Sequence, residues 1–138
     1  MQARVILIGE TESEILEIIS HAVHEALDDN YHVGILAGGT IEQLNQLVED
    51  NVVDLFVLHI NNVSSGQGNE TVKSRVEQAM ALISSFKIAF QKPVIAISSN
   101  EDYKPKALEA GADKFIKVPF EHAVFQSEIR SLLAAGDC

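Results

Sequence analysis

Five times along this chain a short apolar run gives way to a stretch with helical spacing, and that alternation leaves few folds open. Val5–Ile8 is continuously apolar, as expected of a strand covered on both faces. Tyr31–Leu36 follows, then Leu55–Ile60, apolar throughout except for His59. Pro93 opens the fourth strand, Val94–Ser98, and Lys114–Lys117 is the fifth. Between them the apolar spacing changes to that of helices. The first helix opens on a capping-box pattern, Thr11-x-x-Glu14, and turns Ile15, Ile19, Ala22, Val23 and Ala26 inward. The second starts at Thr40, where Gly38–Gly39 supplies the turn and Thr40 the N-cap, and buries Ile41, Leu44, Leu47 and Val48. The third is long, Glu70–Phe90, with Val72, Val76, Met80, Ile83 and Phe86 in register. A short fourth helix runs to about Ala110 and stops at Gly111. The last, Glu121–Ala134, packs through Val124, Phe125, Ile129 and Leu132.

Strands alternating with helices, without an internal repeat, predict an α/β domain with a parallel sheet and helices on both faces. Right-handed crossovers then favour a flavodoxin-like, doubly wound five-stranded sheet of order 2-1-3-4-5. One domain is expected over residues 1–134, with 135–138 (AGDC) a tail or the start of a linker.

Composition narrows the function classes. No apolar run approaches the ~20 residues of a membrane helix, and the N-terminus lacks the pattern of a secretory signal. The single cysteine, Cys138, permits no internal disulfide, in keeping with a cytoplasmic location. The net charge is −10, carried by the first half: residues 1–60 hold eleven acids and one base, residues 61–138 nine of each. No basic face is available to neutralise phosphates, so nucleic acid is not an expected partner. The acidic half reads as a solvated surface or as a dock for a basic protein.

In sheets of this order ligands bind beyond the carboxyl ends of the strands. Gly9 and Glu10, His59 and Asn61, Ser98, and Lys117–Val118–Pro119 should therefore converge on one cleft. At these positions the chain resembles the receiver domain of bacterial response regulators. The resemblance spans nearly its full length and is carried by DLFVLHIN (54–61), KPVIAISSN (92–100) and ALEAGADKFIKVPF (107–120). It implies a pocket in which two acids after the first strand and an acceptor aspartate after the third hold Mg²⁺. It also implies a hydroxyl on the fourth strand and a lysine before a proline on the fifth. Here the acid pair corresponds to Gly9 and Glu10, the acceptor to His59, the hydroxyl to Ser98 and the lysine to Val118. Lys117 stands one residue early, which along a strand is the opposite face. The aromatic switch position corresponds to Phe115. With Tyr103 it marks the equivalent of the family's signalling face, Phe115 expected in the core and Tyr103 exposed.

Aspartyl phosphorylation needs a carboxylate nucleophile, a hard cation on oxygen ligands and a cation facing the phosphoryl group. The resemblance therefore implies a degenerate receiver with Mg²⁺ binding lost or weak. Such a receiver is not an enzyme, and acts through a protein partner or self-association. Two alternatives stay open: a phosphorylatable receiver with a substitute acceptor such as Glu10, or a flavodoxin-like protein binding a small ligand or metal through His59, Glu10 and Ser98. His59 itself reads as a partly buried histidine bonded to Glu10, Ser98 or backbone, as a pH-sensitive partner of Glu10, or as a phosphohistidine. His21 and His24 read as surface residues, since no cluster supplies further zinc ligands. The polar 61–69 segment and the long third helix separate His59 from Ser98 by more residues than the family usually has, as an added surface or a tolerated insertion.

Overall fold

The computed structural model describes residues 2–63, 65 and 70–136. Five strands, β1 (Gln2–Gly9), β2 (Tyr31–Gly38), β3 (Leu55–His59), β4 (Val94–Ser98) and β5 (Lys114–Lys117), form one parallel sheet of order β2-β1-β3-β4-β5. The helices are α1 (Ser13–Leu27), α2 (Ile41–Asp50), α3 (Val72–Phe90), α4 (Lys104–Ala110), entered through a 3-10 turn at Glu101–Tyr103, and α5 (His122–Gly136). This is the expected doubly wound topology. Of the expected 135–138 tail, Ala135 and Gly136 belong to α5, while residues 137 and 138, with Cys138, and residues 64 and 66–69 of the polar segment lie outside the described residues.

β3 and β4 are buried along their whole length because helices cover both faces of the sheet. On one face Leu7, Phe56, Leu58, Val94 and Ala96 pack against α2, α3 and α4 through Leu44, Ile83, Phe86 and Ala107. Phe56 and Phe86 stack there at 4.7 Å. On the other face Ile6, Ile8, Val57, Ile95 and Ile97 meet Ile19 and Val23 of α1 and Phe125 and Ile129 of α5.

The ends of the helices follow local chemistry, with two departures from the sequence pattern. Thr40 caps α2 in a capping box with Gln43. α4 ends at Gly111, whose φ of 122° lies in a region that side chains other than glycine's rarely adopt. The Thr11–Glu14 box does not form. α1 begins at Ser13 with Glu12 at the N-cap and no capping side chain, and the Glu12 backbone N–H donates to Glu10 Oε1 at 3.1 Å. α3 begins at Val72, not Glu70: Thr71 caps it by accepting from the Ser74 N–H, and Glu70 turns back to accept from the Ser65 N–H. Two residues assigned to inward faces are surface residues, Val72 at 63 % and Val124 at 49 % exposure. Val72 sits in the first turn of α3, before the helix reaches the sheet, and Ala79 and Leu82 fill the core in its place.

Candidate functional site

The register brings the ends of β1, β3 and β4 together at the carboxyl edge of the sheet. Gly9 pairs with Gly38 on one side and Leu58 on the other, His59 with Ile97, and Ser98 with Lys117. Glu10 follows β1 directly, its N–H donating to the Gly38 carbonyl at 3.0 Å. After His59 the chain turns tightly, with the Asn62 and Val63 N–H groups both donating to the His59 carbonyl. That turn folds Asn61 and Asn62 back over the strand end.

The side chains form two adjoining networks. His59 Nδ1 lies 2.5 Å from Glu10 Oε2, and Asn62 Nδ2 donates to Glu10 Oε1 at 2.5 Å. The Glu12 N–H adds a third donor. The Glu10 side chain is fully enclosed and that of His59 is 7 % exposed. Burial alone pushes the Glu10 carboxyl up. The hydrogen bonds from His59, Asn62 and the Glu12 backbone outweigh it and hold the group below the usual carboxylate range. An ionised Glu10 can only accept, so His59 Nδ1 carries the proton between them. In the second network Ser98 Oγ donates to Asn61 Oδ1 at 2.6 Å and accepts from the Asn100 N–H.

Gly9 is packed, not vacant. A Cβ there would lie 2.8 Å from Leu58 Cδ2 and 3.0 Å from Val63 Cγ2, so a carboxylate cannot be placed on the present backbone without moving both. Lys117 is 55 % exposed and turned away, its Nζ 4.0 Å from Glu101. Val118 takes the inward place, its N–H donating to the Ser98 carbonyl, and the following Val118–Pro119 peptide is cis. Phe115 and Tyr103 both pack, partly buried, against the α3–α4 side of the core. For Tyr103 this corrects the expectation of an exposed residue, since the 3-10 turn before α4 lays the ring on the core. His21 and His24 pair with Glu25 and Asp28 on the outer face of α1.

Of the sequence-derived set, Glu10 and His59 are joined directly, Asn61 and Ser98 form the neighbouring pair, Gly9 and Val118 wall them, and Lys117 stands outside. Asn62 was not singled out by sequence reasoning, although it bridges to Glu10. Its only signal was an amide three residues after a strand-end histidine, which without the turn geometry is indistinguishable from an ordinary loop residue. The network also opens into a cleft of about 590 Å³, with His59, Asn61 and Asn62 at its base. Ile15 and Ile18 of α1 form one wall, Val118, Pro119 and Phe120 the other. Among the described residues no three His, Cys, Asp or Glu side chains are grouped to hold a metal ion, and no helix is long and apolar enough to cross a membrane.

No family model matches the sequence, and no curated protein is significantly similar to it. Solved structures do match in fold. A putative response regulator from Chloroflexus aurantiacus superposes with a TM-score of 0.75 at 15% identity, covering 96% of this chain and 99% of that one. A response regulator from Thermotoga maritima gives 0.71 at 16% identity over 96% and 98%. The receiver domain of NtrX from Brucella abortus gives 0.71 at 20% over 94% and 98%. The fold is that of response-regulator receiver domains.

Proposed function

We propose that this chain is a receiver-like signalling module that operates without aspartyl phosphorylation, by binding a protein partner or a second copy of itself. The observation that carries the reading is the enclosed His59–Glu10 pair, which occupies the strand ends where a receiver would hold its acceptor and metal. A carboxylate nucleophile is missing at position 59. Glu10 is a poor substitute, because both its oxygens already accept hydrogen bonds from His59, Asn62 and the Glu12 backbone. The residues present do not fit Mg²⁺, a hard cation that takes an octahedron of oxygens. They offer one engaged carboxylate, an imidazole and a glycine whose side-chain space is filled. Ser98 is bonded to Asn61, and Lys117 faces outward toward Glu101.

Incubation with acetyl phosphate and Mg²⁺, followed by intact-mass measurement, tests this. The mass should be unchanged. One added phosphoryl group mapping to an acidic residue of the pocket would overturn the reading.

A further inference from the structure

The cleft beyond the pair carries its own chemistry. His59 Nδ1 is committed to Glu10, whereas Nε2, on the ring edge facing the cleft, has no hydrogen-bond partner among the described residues and is not sealed from solvent. A side chain more than nine-tenths buried thus presents one open polar atom to a cleft whose two walls are apolar, with Asn61, Asn62, Ser99, Glu12 and His122 completing the lining. The carboxylate behind it fixes the tautomer, so the neutral ring turns the Nε2 lone pair outward, and the same contact strengthens that lone pair as an acceptor. With no metal-ligand cluster among the described residues, the complement of this atom is a donor, an O–H or N–H.

The walls define the rest of the ligand. Ile15 and Ile18 face Val118, Pro119 and Phe120 across a volume within the 300–1,000 Å³ typical of small-molecule sites. Next to His59, negative charge is disfavoured by Glu10 behind the ring, by Glu12 in the lining and by the net charge of −10, which His122 in the same lining offsets only in part. We propose that this cleft binds a small neutral ligand with a compact apolar body and a single hydroxyl or N–H that donates to His59 Nε2. The site goes beyond the signalling module and does not depend on how that module is switched. A chain that accepted phosphate could still bind such a ligand, and a chain that failed to bind it could still act through a protein partner.

Three probes of one shape test it on the full chain by calorimetric titration: 2-naphthol, its methyl ether 2-methoxynaphthalene, and 2-naphthoate. The naphthol should bind about tenfold more tightly than the ether, the equivalent of one hydrogen bond of about 1.4 kcal/mol, and more tightly than the naphthoate. Adding it should move the ¹⁵N resonance of His59 Nε2. Ile18→Asp alters a half-exposed position outside the hydrogen-bond network, and should weaken naphthol binding at least tenfold with the circular dichroism spectrum unchanged. Equal binding of naphthol and ether, tighter binding of naphthoate, an unmoved His59 resonance, full binding by Ile18→Asp, or no millimolar binding of naphthol would each overturn the proposal.

Discussion

Replacing Glu10 by glutamine changes one atom and so isolates the charge at the centre of the site. In the native network three donors converge on two carboxylate oxygens: Asn62 and the Glu12 N–H on Oε1, and His59 on Oε2. A glutamine offers one acceptor oxygen. With that oxygen toward Asn62, its amide N–H meets His59 Nδ1, and the neutral imidazole must move its proton to Nε2 to accept. The contacts survive in number but lose their charge assistance. Charged hydrogen bonds contribute about 1.5–3 kcal/mol and neutral ones about 1, so the substitution should cost about 1–3 kcal/mol near neutral pH. The deficit should depend on pH in a definite sense. Glu10 is depressed below the ordinary value of 4.5 in the folded chain. Its stabilisation is therefore complete above the unfolded pKa and is lost as pH falls through the lower folded value. Urea denaturation of both chains at pH 7 and at successive steps below pH 4 should show the difference shrinking toward acid, while ¹⁵N spectra of the neutral form report the altered tautomer. A deficit that stays constant across that range, or a histidine that keeps its proton on Nδ1, would refute the assignment of Glu10 as the ionised acceptor.

Three further outcomes are expected. His59→Asp should not acquire a phosphoryl group from acetyl phosphate and Mg²⁺ in intact-mass measurements, because Gly9 and Val118 leave the rest of the pocket unrestored; recovery would show that position 59 alone disables it. Gly9→Ala should lower stability by about 1–3 kcal/mol in denaturant titration, since its Cβ would approach the Leu58 side chain to 2.8 Å. Thr40→Ala should cost about 1 kcal/mol through loss of the capping box, whereas Glu14→Ala, which removes no cap, should leave the melting temperature nearly unchanged.

Much of this architecture was legible in residue order because strands and helices answer to local periodicity. A short apolar run such as LFVL, bounded by polar residues, reads as a strand covered on both sides, and five of them separated by helical repeats admit few sheet orders. The placement of Glu10, His59 and Ser98 at one edge follows from the same reasoning, since each immediately follows or ends its apolar run. Even the outward turn of Lys117 was contained in the two-residue period of β5.

What each of those side chains bonds to was decided only by the tertiary structure. Periodicity says which face of its own element a residue takes, but not which neighbour meets it across a gap between elements. The bond of His59 to Glu10, not to Ser98, depends on the β3 turn bringing Asn61 to Ser98 and Asn62 to Glu10. The helix starts one residue later than the Thr11–Glu14 pattern implies, with Glu12 at the N-cap and its N–H bonded to Glu10, whose other oxygen meets His59 49 residues away. Tyr103 lies on the core because a 3-10 turn precedes α4, and the cleft exists because α1 and the segment after β5 stand apart above the same strand end. These are distances between elements remote in sequence, set by packing and turn geometry, and no local pattern of residues records them.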